Sequence, residues 1–191
     1  MRPLRIVIAD NESIIRMDLK EMLEEAGHTV VGEAVNGQKA VELAKKYRPD
    51  LVIMDVKMPN MDGITAAKLI STDKLAPVLL LTAFSQKEIV EKAKESGVLA
   101  YLVKPVKEAN LFPAIEIALS RFGEMQELEK ELEDLKHSLE TRKILDRAKG
   151  ILMDAHHLNE SEAFRRIQQY SMAKRISIRE VAEAIIHAAT K

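Results

Sequence analysis

Residues 51–63 read LVIMDVKMPNMDG. Four apolar residues lead into Asp55, and a turn rich in Pro, Asn, Asp and Gly follows. A short apolar run bounded by turn residues is typical of a buried strand. The stretch therefore predicts a strand that ends in a carboxylate, and the fold depends on what surrounds that strand.

Four similar apolar runs occur on either side of this stretch. They read LRIVIAD (residues 4–10), TVVGEA (29–34), APVLLLTA (76–83) and AYLVKP (100–105). Helical apolar spacing separates the runs, and the fourth helix is predicted to open at the capping box Ser85–Glu88 and to stop at Gly97. Apolar strands that alternate with helices indicate an α/β fold, in which helices cover both faces of a five-stranded parallel sheet.

Polar residues interrupt this pattern where strands end. They are Asp10, Asp55, Thr82 and Lys104. One such residue is ordinary in a polar loop. Ligands of open α/β sheets, however, bind outside the carboxyl ends of the strands, so four polar residues at that edge predict a functional site.

The residue types at this edge suit phosphoryl transfer to a carboxylate. We expect Asp55 to be the nucleophile, while Thr82 and Lys104 bind the phosphoryl oxygens. A carboxylate and a phosphoryl group are both anionic, so a divalent cation must bring them together, and hard oxygen ligands favour Mg²⁺. Asp10, its neighbour Asn11 and Asp55 itself are the predicted ligands of that ion.

The motifs IVIADNES, LVIMDVKMPNMDG, LLLTAFS and YLVKP, in this order and spacing, resemble the receiver domain of two-component response regulators. The resemblance covers about residues 3–122 and implies a flavodoxin-like doubly wound fold. It implies that a sensor histidine kinase phosphorylates Asp55 and that the backbone carbonyl of Lys57 is a further Mg²⁺ ligand. It also implies that Tyr101 reorients with Thr82 and that the Lys104–Pro105 peptide is cis.

The sequence departs from the receiver pattern at Asn11. Receivers usually carry two adjacent acids after the first strand, whereas this chain reads Asp10-Asn11. The site loses one formal charge against a divalent cation, so we expect weaker Mg²⁺ binding. A receiver that never turns over phosphate is the competing interpretation.

A heptad pattern follows the receiver, on a helix that is predicted to start near Lys107. Residues 121–141 contain seven acidic and three basic side chains. Apolar residues follow 3-4 spacing at Met125, Leu128, Leu132, Leu135 and Leu139. This narrow stripe favours a parallel coiled coil, and we expect Leu128, Leu132, Leu135 and Leu139 to form a phosphorylation-promoted homodimer. Packing of the stripe onto the receiver of the same chain is the alternative.

The last fifty residues are basic and helical. Residues 142–191 carry ten basic and six acidic side chains. The coiled-coil helix is predicted to run on through residues 142–153, and further helices open at the capping boxes NESE (159–162) and SIRE (177–180). Three helices with one apolar face each predict a small all-α bundle, in which Ala163, Phe164, Ile167 and Tyr170 of the second helix face inward.

Two motifs in this bundle, RAKGILM (147–153) and EAFRRIQQYSMAKRISIREVAEAII (162–186), resemble the ANTAR domain of transcription antitermination regulators. The resemblance implies binding to paired hairpins in a leader RNA, which prevents a terminator from forming. The expected RNA-binding residues are Arg142, Lys143, Arg147, Lys149, Gly150, Arg165 and Arg166. A DNA-binding transcriptional response regulator is the alternative, but a helix-turn-helix needs a recognition helix after ISIREVAEAI, and the sequence contains none.

These patterns predict a receiver domain over residues 1–122, a coiled-coil connector over 123–141 and an ANTAR domain over 142–191. The sequence has no Cys, which excludes disulfides and thiolate metal sites. It shows no secretory segment and no apolar run long enough for a bilayer, so we expect a cytoplasmic protein without a membrane partner. We do not expect a stand-alone enzyme, because an aspartate-based phosphatase needs an acid at the position of Lys57.

Overall fold

The computed structural model describes residues 2–83, 98 and 100–189. The helix predicted between Ser85 and Gly97 lies outside the described residues. The chain divides into two compact units, Met1–Gln126 and Glu127–Lys191. The three domain ranges expected from the sequence stay predictions.

The first unit contains a five-stranded parallel sheet. Its strands are β1 (Arg5–Ala9), β2 (Thr29–Ala34), β3 (Leu51–Asp55), β4 (Val78–Thr82) and β5 (Ala100–Val103). The strand order is β2-β1-β3-β4-β5, and each pair of neighbours is parallel. Helices α1 (Ser13–Glu25), α2 (Gly37–Tyr47) and α3 (Gly63–Thr72) connect the strands. This topology confirms the doubly wound, flavodoxin-like fold.

Alternate residues of the central strands belong to two separate cores. Val7 and Ala9 of β1 pack in the core that includes α2 and α3, whereas Ile6 and Ile8 pack in the core that includes α1. All four side chains are fully buried. Successive side chains of a strand point to opposite faces of the sheet, so a central strand must be apolar throughout, and this explains the continuous apolar runs of the sequence.

A single helix, α4 (Glu108–His156), carries the chain out of the sheet. This helix is continuous through the heptad stretch and through Gly123 and Gly150. The sequence predicted a continuous helix, because no stop signal separates the heptads from residues 142–153. Its first turns bury Leu111, Ile115 and Ala118 in the same core as Ile6 and Ile8. Burial of one Leu or Ile side chain contributes about 1.5–3 kcal/mol, and this anchors the start of α4 on the sheet.

The second unit contains the end of α4 together with α5 (Glu160–Lys174) and α6 (Ile178–Ala189). Both predicted capping boxes are present. Asn159 and Glu162 exchange hydrogen bonds at the start of α5, and Ser177 and Glu180 do so at the start of α6. The core is formed by Ala148, Ile167, Val181 and Ala182, with partly buried Ile and Leu side chains around it.

The prediction that Phe164 and Tyr170 face inward is wrong. The two side chains are 37% and 53% exposed. Ala163 and Ile167, predicted to face inward with them, are buried at 0% and 1% exposure. Phe164 directly follows Ala163 and lies off that face, whereas Tyr170, three residues after Ile167, shares its side of the helix but stays exposed. Along the described part of the chain, no helix combines the length and the apolarity that crossing a membrane requires.

Candidate functional site

The four polar residues at the strand ends meet at one edge of the sheet. Asp10 follows β1, Asp55 and Thr82 end β3 and β4, and Lys104 follows β5. Lys104 Nζ lies 2.6 Å from Oδ2 of Asp10 and 2.9 Å from Oδ1 of Asp55. The Asp10, Asp55 and Thr82 residues are 0%, 6% and 3% exposed. The structure therefore brings these side chains together at one edge, and their roles stay predictions.

Backbone amides fix the remaining carboxylate oxygens. The amide of Glu12 donates to Oδ1 of Asp10 over 2.9 Å, and that of Lys57 donates to Oδ2 of Asp55 over 3.0 Å. Each carboxylate thus accepts one backbone and one ammonium hydrogen bond. Such bonds hold a carboxylate in one orientation.

Two residues that the sequence reasoning missed support this edge. Arg16 donates through Nη1 to the backbone carbonyl of Asp10 over 2.7 Å. A Cβ atom on Gly63 would lie 2.1 Å from the carbonyl oxygen of Asp55, closer than side-chain atoms approach. The turn after Asp55 therefore requires glycine at this position. The sequence signal for this turn is the Asp62-Gly63 pair. Asp62 is the N-cap of α3, and its Oδ1 accepts a hydrogen bond from the backbone amide of Thr65.

Burial and the ion pairs shift the protonation equilibria in this site. Burial raises the pKa of the Asp55 carboxyl, and the hydrogen bond from Lys104 only partly offsets that effect. Burial acts to lower the pKa of the Lys104 ammonium, but its hydrogen bonds to Asp10 and Asp55 outweigh burial and the net pKa is raised. Lys104 is therefore a permanent cation between two carboxylates at neutral pH.

A small cleft opens at these residues. Its volume is about 240 Å³, and its lining includes Asn11, Asp55, Lys57, Thr82 and Lys104. A carboxylate, an amide, a hydroxyl and an ammonium thus face one space. Tyr101, the expected switch residue, lies on β5 and is 45% exposed.

In the second unit, the four heptad leucines are open to solvent. Leu128, Leu132, Leu135 and Leu139 are 65%, 52%, 63% and 59% exposed. Leucines four, three and four residues apart form one stripe along a helix. An apolar stripe of this kind is unfavourable in water and suits packing against another helix.

The predicted RNA-binding residues differ in their surroundings. Five of them are exposed and make no ion pair with any residue that the structure describes: Arg142, Lys143, Arg147, Arg165 and Arg166. Lys149 is different, because its Nζ lies 2.7 Å from Oδ1 of Asp146 and 2.6 Å from Oε1 of Glu160. Its side chain is only 13% exposed. Beside it, a Cβ atom on Gly150 would meet no atom within 4 Å.

Comparison with known protein families matches both units. The response regulator receiver domain model matches residues 6–116, and the ANTAR domain model matches residues 133–186. The chain is a response regulator with an ANTAR domain. Both resemblances inferred from the sequence motifs are thereby confirmed.

Several relatives of this response regulator are characterised. It is 52% identical over 184 residues to the transcriptional regulatory protein PdtaR of Mycobacterium tuberculosis strain H37Rv, covering 96% of this chain and 90% of that protein. It is 38% identical over 112 residues to the chemotaxis protein CheY of Thermotoga maritima, covering 58% of this chain and 93% of CheY. The crystal structure of the response regulator domain of Thermotoga maritima CheB matches with a TM-score of 0.58 and 29% identity, covering 62% of this chain and 98% of that domain.

The oxygen atoms at the strand ends of this response regulator fit the preferences of Mg²⁺. The available donors are the carboxylates of Asp10 and Asp55, the amide of Asn11 and the backbone carbonyl of Lys57. Hard oxygen donors of this kind suit Mg²⁺. Within residues 2–83, 98 and 100–189, no cluster of three His, Cys, Asp or Glu side chains could hold a metal.

Proposed function

We propose that this response regulator is a phosphorylation-controlled transcription antiterminator. A sensor histidine kinase or a small phosphodonor phosphorylates Asp55, and the ANTAR domain then binds paired hairpins in a leader RNA, so that the terminator hairpin does not form. The observation that carries the proposal is the ion pair between Lys104 and the buried Asp55 in a chain that also matches the ANTAR family.

In the proposed receiver chemistry, a carboxylate oxygen of Asp55 attacks the phosphorus of the donor. A new O–P bond forms while the bond from phosphorus to the donor nitrogen or oxygen breaks, and the donor takes up the proton that its leaving atom needs. Lys104 and Thr82 bind the oxygens of the transferred group. Lys104 is already charged and in place, so this stabilisation requires little reorganisation.

Mg²⁺ would be held by Asp10, Asn11, Asp55 and the backbone carbonyl of Lys57. When bound, it supplies positive charge that lets the anionic carboxylate and the anionic phosphoryl group approach. Asn11 contributes an oxygen but no charge, so binding is weaker than in receivers with two adjacent acids. The Lys104 ammonium, which bridges Asp10 and Asp55, is a second source of positive charge for the oxygens of the transferred phosphoryl group.

The proposed output state is a homodimer. Thr82 and Tyr101 change position on phosphorylation, and association proceeds through Leu128, Leu132, Leu135 and Leu139. The exposure of these four leucines supports this step, because a partner helix would remove their apolar surface from water. Two copies also provide two RNA-binding surfaces for two hairpins.

The proposed RNA surface uses the five exposed cations at the end of α4 and on α5. Arg142, Lys143 and Arg147 follow one another along α4, and Arg165 and Arg166 are adjacent on α5. Phosphate contacts from such residues supply affinity that is largely independent of sequence and sensitive to salt. The relative PdtaR, named as a transcriptional regulatory protein, supports a role in gene expression.

In vitro transcription tests the proposal. The template is a library of leaders with two short hairpins, randomised loops and a terminator that overlaps the second hairpin. With Mg²⁺ and a small phosphodonor, the full chain should enrich a subset of loop sequences among the read-through transcripts, and Asp55→Asn should not. Read-through that is independent of both loop sequence and phosphorylation would overturn the proposal.

A further inference from the structure

An open cleft lies between α4 and α5 within the second unit. Its volume is about 450 Å³. Arg142, Leu145, Asp146, Lys149, Gly150 and Met153 of α4 line it, together with Glu160 and Phe164 of α5. The cleft thus lies among the cations of the proposed RNA surface, and it combines apolar, charged and aromatic groups.

The charges inside the cleft do not suit a phosphate group. Asp146 and Glu160 carry two negative charges, and both are engaged with the ammonium of Lys149. Arg142 also lines the cleft, so its two cations and two carboxylates leave no net charge to attract an anion. A phosphate beside Asp146 and Glu160 would meet two like charges at close range, which is unfavourable. The cleft therefore suits a neutral ligand that donates hydrogen bonds.

The two carboxylates are oriented as hydrogen-bond acceptors. Lys149 contacts Oδ1 of Asp146 and Oε1 of Glu160. The second oxygens, Oδ2 and Oε2, accept no hydrogen bond from any residue in the described ranges. The hydrogen bond from Lys149 lowers the pKa of the Asp146 carboxyl, which keeps it ionised. Carboxylates of this kind accept from the exocyclic amine of a nucleobase.

Phe164 and Gly150 give the cleft room for a flat ring. Phe164 lines the cleft and is 37% exposed, so its aromatic ring is accessible there. Apart from its own turn of the helix, a Cβ atom on Gly150 would meet no atom of the described residues within 4 Å, so packing among those residues does not explain the glycine. Unpaired RNA bases typically stack on aromatic side chains and hydrogen-bond through their edges.

We infer that this cleft binds a single unstacked nucleobase that carries an exocyclic amine, with Phe164 as the stacking partner and Asp146 and Glu160 as the acceptors. The inference rests on the proposed binding of RNA hairpins. Adenine, cytosine and guanine have the required amine, whereas uracil does not. Lys149 is then a positioning residue that holds the two carboxylates, and the neighbouring exposed arginines contact phosphates.

A bind-and-sequence experiment on the full chain tests the inference. The probe is a library of RNAs with two short hairpins and randomised loops, and the phosphorylated protein is used. The wild type should select an amine-bearing base and exclude uracil at one loop position. Asp146→Asn and Glu160→Gln together should reduce that preference by roughly 5- to 100-fold, the range for one base-edge contact. Phe164→Leu should weaken binding to the selected loops by a similar factor, about 5- to 100-fold, for the loss of one stacked base.

Matched control variants separate the effect of the cleft residues from the general effect of removing a carboxylate or an aromatic ring. Asp154→Asn removes a carboxylate from the same helix outside the cleft, and Tyr170→Leu removes an aromatic ring elsewhere on α5; both should keep the base preference. Two outcomes would overturn the inference but not the proposed RNA binding. One is a base preference that the Asp146 and Glu160 substitutions leave unchanged, and the other is the lack of a preference at any loop position. A wild-type protein that retains no RNA at all would overturn the proposed function itself.

Discussion

The ammonium of Lys104 lies 2.9 Å from Oδ1 of Asp55, and it also contacts Asp10 over 2.6 Å. One lysine thus bridges the two carboxylates at the strand ends before any phosphoryl group arrives. The proposed phosphorylation of Asp55 replaces its carboxylate by a group with more oxygen acceptors, and Lys104 Nζ already lies within hydrogen-bonding distance of that position. The remaining carboxylate, Asp10, keeps a partner in its backbone hydrogen bond from Glu12.

The first prediction concerns the phosphoacceptor. A small phosphodonor with Mg²⁺ should add one acid-labile phosphate to the wild type, and Asp55→Asn should accept none, because the attacking oxygen is gone. Intact-mass spectrometry measures this directly. Asp18→Asn, which alters an exposed carboxylate on α1, should be labelled like the wild type; persistent labelling of Asp55→Asn would sink the assignment.

The second prediction concerns pH and stability in metal-free buffer. Burial raises the pKa of Asp55 above its ordinary value of 3.8, so the folded state binds the proton more tightly than the unfolded state does. This contribution to stability is present at low pH and is lost as the pH rises through the folded pKa. Asp55→Asn, which mimics the protonated form, should therefore unfold at a higher denaturant concentration than the wild type at pH 7.

The measurement is chemical denaturation of both proteins from pH 3 to pH 7, which spans the ordinary pKa (about 3.8). The difference between the denaturation midpoints of Asp55→Asn and the wild type should shrink towards zero at the acidic end. Two results would show that burial does not dominate the pKa of Asp55. One is a stability difference that is the same at all pH values, and the other is a wild type that is more stable than Asp55→Asn at pH 7.

The third prediction concerns Asn11. Asn11→Asp adds a formal negative charge next to the proposed Mg²⁺ ligands and should tighten Mg²⁺ binding by at least about tenfold, equivalent to roughly 1.4 kcal/mol. Isothermal titration calorimetry provides the dissociation constant. Gln38→Glu adds the same charge at an exposed position on α2 and should change the dissociation constant for Mg²⁺ little. Equal affinities for the wild type and Asn11→Asp would mean that Asn11 does not contact the metal.

The fourth prediction concerns the leucine stripe. Phosphorylation should shift the protein from monomer towards dimer, and Leu132→Glu with Leu135→Glu should abolish the shift because two charges would be buried in the seam. Sedimentation velocity resolves the two species. Gln126→Glu with Thr141→Glu adds the same charges outside the a and d positions and should leave dimerisation largely intact. A phosphorylated wild type that stays monomeric contradicts this model.

The strand-end site was predictable because each residue type carried a positional signal. Asp10, Asp55, Thr82 and Lys104 interrupt apolar strands, and a parallel sheet necessarily brings such ends together. Arg16 and Gly63 could not be recognised in the same way, because their roles depend on backbone atoms of Asp10 and Asp55 that only the folded chain places beside them.

The second unit was less predictable, because short helices have several plausible faces. Ala163, Phe164, Ile167 and Tyr170 were all predicted to face inward, but only Ala163 and Ile167 are buried. Lys149 was grouped with the other predicted RNA-binding cations, but contacts with Asp146 and Glu160 distinguish it. Glu160 comes from the next helix, and a contact between two helices is invisible in a scan of local sequence.

The most direct test of phosphorylation-controlled RNA binding is a fluorescence anisotropy titration of the full chain, with and without phosphorylation, at two salt concentrations. The ligands are the paired-hairpin RNA most enriched from the loop library and the duplex DNA of the same sequence. The phosphorylated protein should bind the RNA more tightly than the DNA, with an affinity that falls steeply with salt and decreases in Arg142→Ala with Arg147→Ala. Equal or tighter binding to the duplex, or RNA affinity that phosphorylation does not change, would contradict the account.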